Sequence, residues 1–88
     1  MKVIHKYTLP YHFVGSGLFT VNLPEDAEII RVGKDIQGAY ALWAIIDTGK
    51  PMIEKPFEIL PTGAAIPNGA YYVVTIDDNG LMWHVFRF

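Results

Sequence analysis

At 88 residues the chain has room for one domain and one core, and a body of this size hides only about 60–65% of the surface its unfolded form exposes. Small domains commonly offset that deficit with disulfides, a metal or oligomerisation, and a cysteine count of zero excludes disulfides and thiolate zinc sites together. A net charge of -2, from seven Lys+Arg against nine Asp+Glu, gives neither the basic face of a nucleic-acid binder nor the dense acidic surface of a DNA mimic.

Glycine and proline punctuate the chain at the rhythm of an all-β domain. Residues 2–9 read as the first strand, with Val3, His5, Tyr7 and Leu9 on one face and Lys2, Ile4, Lys6 and Thr8 on the other. A loop follows over 10–17. Residues 18–23 are the second strand, Phe19, Val21 and Leu23 facing inward. Pro24-Glu25-Asp26 breaks it and leads into 28–33, read as a third strand. The alternative there is a helical turn starting at Pro24, since proline suits the first helical position.

Residues 35–38 form a hairpin connection, 39–47 the fourth strand, and Thr48-Gly49-Lys50-Pro51 a turn. The fifth strand, 53–60, contains Pro56, which cannot donate a ladder hydrogen bond and so predicts an edge position or a bulge. Residues 61–70 form a Gly/Pro loop that carries Ala64, Ala65 and Ile66. The chain ends in a hairpin, 71–77 and 81–87, around Asp78-Asn79-Gly80, where Asn-Gly tolerates positive φ at both turn positions. The expectation is an all-β fold, a small antiparallel sandwich or partly open barrel of six to seven strands, as a single domain over 1–88.

Three of these strands fail to alternate. The fourth sets Tyr40, Leu42, Ala44 and Ile46 against Ala41, Trp43 and Ile45. The sixth sets Tyr71, Val73 and Thr75 against Tyr72, Val74 and Ile76. The seventh sets Leu81, Trp83 and Val85 against Met82, Phe86 and Phe88, with His84 its polar member. A sheet with one solvated face alternates, so strands apolar on both faces need cover on both. With charged residues at 18%, below the roughly 25% of ordinary domains, this predicts a partner, a homo-oligomer first.

Chemistry-bearing patterns are sparse. The histidines His5, His12 and His84 have no H-x-H or H-E-x-x-H spacing that would bring them onto a metal with Asp47 or Asp77. Ser16, the only serine, stands in Gly15-Ser16-Gly17, which is not a nucleophile elbow. The carboxylate pairs Asp77-Asp78 and Glu25-Asp26 fall at turns, which favour acids for backbone reasons. No enzyme, metal or cofactor is expected. As interface anchors the sequence offers Trp43, Tyr72, Trp83 and Arg87, because Trp, Tyr and Arg dominate binding hot spots. His5, Tyr7, His84 and Arg87 are candidates to line a small-ligand pocket.

The opening Met1-Lys2-Val3-Ile4-His5-Lys6-Tyr7-Thr8-Leu9, the central Leu42-Trp43-Ala44 and the closing Trp83-His84-Val85-Phe86 resemble a family of short uncharacterised bacteriophage and prophage proteins. The likeness spans nearly the whole chain, and the segment from Tyr11 to Gly17 departs from the shortest relatives. The resemblance implies a context, a small accessory protein in an infected bacterium, rather than a mechanism. The functional expectation is a phage-encoded, non-catalytic binding protein that self-associates and modulates a host protein or counters a host defence. The alternatives are a binder that sequesters a nucleotide or similar small ligand, and a minor virion component. Without the apolar run of a signal peptide or a span of about 20 apolar residues, a host cytoplasmic location with no membrane partner is expected.

Overall fold

The computed structural model describes residues 1–10 and 17–88. The loop expected over 10–17, with His12 and Ser16, lies outside the described residues except at its two ends. Seven strands form: β1 (Lys2–Thr8), β2 (Leu18–Pro24), β3 (Glu28–Lys34), β4 (Tyr40–Asp47), β5 (Met52–Pro61), β6 (Tyr71–Asp78) and β7 (Leu81–Arg87). They make two antiparallel sheets, one of order β1-β4-β3 and one of order β2-β5-β7-β6. The extents of 39 × 34 × 17 Å fit two such layers packed about 10 Å apart. The expected all-β fold is therefore correct, and residues 28–34 are a strand rather than a helical turn. Among the described residues no helix is long and apolar enough to cross a membrane.

The core lies between the layers. Leu23, Leu42, Phe57, Ile59 and Val85 are fully buried, drawn from β2, β4, β5 and β7. β4 is the central strand of its sheet, so its inward row of Tyr40, Leu42, Ala44 and Ile46 enters the core. Its outward row is covered only in part from within the subunit, with Trp43 and Ile45 left half-buried. Ala41 is buried between Thr8 and Gly33, and Trp43 lies between Lys6 and Arg31, with the Arg31 guanidinium 4.9 Å from its ring centroid.

Two bulges decide which side chains share a face. In β3 the register shifts between Ile29 and Arg31, leaving Ile30 unpaired. Ile29 and Val32 both turn inward, and Arg31 turns outward onto Trp43. In β6 the shift lies between Tyr72 and Val74. Strict alternation had joined Thr75 to Tyr71 and Val73. The extra residue instead places Thr75 on the outward face with Tyr72, while Tyr71 joins Val74 and Ile76. A bulge adds one residue to one strand and so reverses the parity beyond it.

Pro56 sits neither on an edge strand nor at a bulge, because β5 is flanked by β2 and β7. The reason is stagger. Ile59 donates its N–H to Gly17 on the β2 side, and Pro51 accepts there from Glu25, so odd-numbered residues of β5 bond β2 and even-numbered ones face β7. The ladder with β7 begins only at Phe57. Pro56 therefore turns its missing donor to a side that no strand of the described residues occupies, a local edge within an inner strand.

The two sheets come closest through β3 and β6. There Lys34 Nζ lies 3.7 Å from Asp78 Oδ1 and 5.4 Å from the Tyr40 ring centroid. Burial first, then the neighbouring Asp78 carboxylate and the charge of Asp77, push the Tyr40 phenol up to about 12. The β6–β7 hairpin turns as the sequence predicts. Asn79 and Gly80 have φ of 52° and 88°, and Asp77 accepts the Gly80 N–H at 2.8 Å.

Candidate functional site

The β6 bulge and the 61–70 loop together build a groove on the outer face of the four-stranded sheet. On β7 the outward row is Met82, His84 and Phe86, and register sets Leu60 and Thr75 on either side of His84. The chain after β5 turns at Pro61, with the Ala64 N–H donating to the Pro61 carbonyl, and lays Ala64 and Ile66 against this row. The result is an open pocket of about 230 Å³ lined mainly by Leu60, Ala64, Ile66, Tyr72, His84 and Phe86.

A chain of hydrogen bonds crosses its floor. The Tyr72 hydroxyl and Thr75 Oγ1 are 2.9 Å apart, Thr75 Oγ1 and His84 Nδ1 are 2.9 Å apart, and His84 Nε2 and Thr62 Oγ1 are 2.8 Å apart. Both ring nitrogens of His84 thus meet a hydroxyl, and a hydroxyl serves as donor or acceptor. Either tautomer is accommodated by rotating hydrogens, and the imidazole plane is held fixed. Among the described residues no carboxylate joins the chain. Phe86 closes the floor, meeting the Tyr72 ring edge-on at 6.0 Å. The arrangement is a rigid polar spot in an apolar rim, suited to orienting a docked group.

The seven residues singled out from the sequence fall in five places. Tyr72 and His84 meet in this groove through Thr75. Trp43 lies on the outer face of the other sheet, half-buried under Arg31. Trp83 points inward and packs against the core, its indole N–H buried without a hydrogen-bond acceptor among the described residues. His5 and Tyr7 stand together on β1, ring centroids 4.8 Å apart. Tyr7 is half-buried against the core, which raises its phenol pKa, and His5 is exposed. His5 and His84 are in different sheets and share no site. Arg87 lies at one end of the space between the sheets, its guanidinium 4.8 Å from the Tyr71 ring centroid.

Sequence reasoning passed over Thr62, Thr75 and Ile66. Thr75 was legible as a partner of His84 only through the hairpin register, which counts out from Asn79-Gly80 and pairs the two directly. Thr62 and Ile66 reach the groove through the folding of a loop, for which no periodicity gives a signal.

Comparison with the curated proteins and with the solved structures brought no match in either. A family model does match, along the whole length, and on that evidence the chain belongs to the family described as "Domain of unknown function (DUF7352)", matched over residues 1–88.

Proposed function

We propose that this chain is a non-catalytic binding protein that pairs with a second copy of itself through the outer face of the four-stranded sheet. One observation carries the reading: the sheet face that carries the His84 groove exposes large apolar side chains to water. Leu18, Ile66, Tyr72 and Met82 are each 46–64% exposed. Register sets Leu18, by way of Glu58 and Phe86, in one row with Tyr72, and Met82, two residues from His84, is the next outward residue along β7. Exposed apolar side chains gathered on one face, here interrupted by Glu58, mark contact surfaces on small soluble domains. A standard interface needs about 800 Å² from each partner, roughly one-seventh of the 5572 Å² surface of this chain. Tyr72 is the anchor, held by its hydrogen bond to Thr75, and His84 offers orientation at the centre.

The setting follows from the resemblance of the opening and closing segments to phage and prophage proteins. In that setting the chain is an accessory protein in the cytoplasm of an infected bacterium, and the same face is the one it presents to a host protein. Size-exclusion chromatography with light scattering tests the pairing. The expected mass is twice 9.9 kDa for the wild type and 9.9 kDa for the Ile66→Ser/Met82→Ser variant. A wild type that elutes as a monomer at high micromolar concentration overturns the reading.

A further inference from the structure

The stagger that exposes Pro56 also opens a cleft. β2 and β5 remain paired out to Pro24 and Met52, whereas β7 reaches β5 only at Phe57. Beyond that point the space between the sheets is a cleft of about 600 Å³, within the range of small-molecule sites. Its apolar walls include Leu23, Ile29, Phe57 and Val73.

Two cations stand at core-facing positions of this cleft. On β5, Phe57 and Ile59 are core residues, so Lys55, two residues before Phe57, belongs to the inward row, and it is half-buried. On β7, Arg87 continues the inward row of Trp83 and Val85 and is paired with Phe57, but it stands at the strand's end and is exposed at the mouth of the cleft, as Glu28 and Glu54 are. Neither takes part in any of the ion pairs found among the described residues. Arg87 is steadied by the face of Tyr71 at 4.8 Å, which fixes the guanidinium without neutralising it. Two carboxylates, Glu28 and Glu54, also reach the cleft, but from the rim. Glu54 alternates outward from Lys55 and pairs with Asn22, Glu28 pairs with the outward Ile45, and both are exposed.

We propose that this cleft binds a small organic carboxylate with an apolar body. Lys55 and Arg87 take the carboxylate, and the hydrocarbon lies on Leu23, Ile29, Phe57 and Val73. Cations set against low-dielectric walls attract an anion strongly, because the walls concentrate the field. The acidic rim and the count of two cations select a monoanion over a nucleotide, whose several charges would meet Glu28 and Glu54 on entry. The inference does not rest on the pairing proposed above, although Tyr72 borders both the cleft and the His84 groove.

The test is a titration of the full ¹⁵N-labelled chain, followed by amide shifts, with three probes that differ only in their head group: 4-phenylbutanoate, 4-phenylbutanamide and 4-phenylbutylamine. The expected result is saturable shifts at Phe57, Val73 and Arg87 with the acid, and at least about tenfold weaker binding of the amide, as for loss of one charge-assisted hydrogen bond. Lys55→Gln and Arg87→Gln should each weaken the acid by about tenfold and leave the rest of the spectrum in place. Should either variant fail to fold, the three-probe ranking on the wild type still decides. Equal binding of acid and amide, preference for the amine, acid shifts that map elsewhere, or no shift at millimolar acid would each overturn the proposal.

Discussion

Replacing Tyr40 by phenylalanine should change how stability depends on pH, because the Tyr40 phenol is held neutral between the sheets. Burial first, and then Asp78 and Asp77, raise it from 10.0 to about 12. The direction of the effect follows from proton counts. Between pH 10 and 12 the unfolded phenol has released a proton that the folded one retains, so the folded state binds more protons and unfolding becomes easier as pH rises. The stabilisation is fully present below about pH 10 and is lost on the way to about pH 12. At about 1.4 kcal/mol per unit, two units give at most about 2.7 kcal/mol, of which about 1.4 kcal/mol is lost by pH 11. Water reaches Asp78, whose side chain is 27% exposed, and screening trims the loss at pH 11 to about 1 kcal/mol. Tyr40→Phe has nothing to titrate here, so its own stability should not share this loss. The difference in stability between the two proteins should therefore shift by about 1 kcal/mol in the variant's favour from about pH 8 to pH 11. Urea unfolding followed by the fluorescence of Trp43 and Trp83 reads the difference, and titrations common to both proteins cancel in it. A gap of constant size from about pH 8 to pH 11 would refute the reasoning.

Leu42→Ala should cost about 3 kcal/mol, since Leu42 is fully buried on the central strand of its sheet and such truncations cost roughly 2–5 kcal/mol. The urea midpoint should fall accordingly, and a loss below about 1 kcal/mol would mean that the layers are not packed there. Gly80→Ala should cost about 1 kcal/mol through backbone strain alone, because φ is +88° and no atom lies within 4 Å of an added Cβ. Asn79→Gly beside it should leave the urea midpoint close to that of the wild type. Thr75→Val removes the hydroxyl shared by Tyr72 and His84, with an expected cost of about 1–2 kcal/mol. Long-range ¹H–¹⁵N spectra of the His84 ring should then change at Nδ1 and hold at Nε2, where Thr62 remains; an unaltered Nδ1 signal would contradict the network.

The strands were legible because short apolar runs are bounded by Gly and Pro turns, and each of the seven falls within a residue or two of its expected span. Face assignment was legible only up to the first irregularity. Nothing in Tyr71-Tyr72-Val73-Val74-Thr75 marks Val73 as the extra residue, yet its bulge puts the Thr75 hydroxyl beside His84. Pro56 gave a true signal of a missing hydrogen bond, but not its cause, which is the relative length of two strands far apart in sequence. The doubly apolar β4 had a local remedy that composition hides: Arg31 extends its side chain over Trp43. The partner of His84 across the turn could be counted from Asn79-Gly80, but its partner in the loop, Thr62, depends on a path that no repeat encodes.

The free stretch of β5 also governs how copies of this molecule can meet. Unclaimed main-chain groups are a template that accepts almost any incoming chain, since backbone recognises backbone whatever the side chains. Here Pro56 offers no N–H to such a guest, and the ammonium of Lys55 would have to be smothered beneath it. Growth into fibres by that route is discouraged. Encounters are left to surfaces where shape and side-chain chemistry choose the companion.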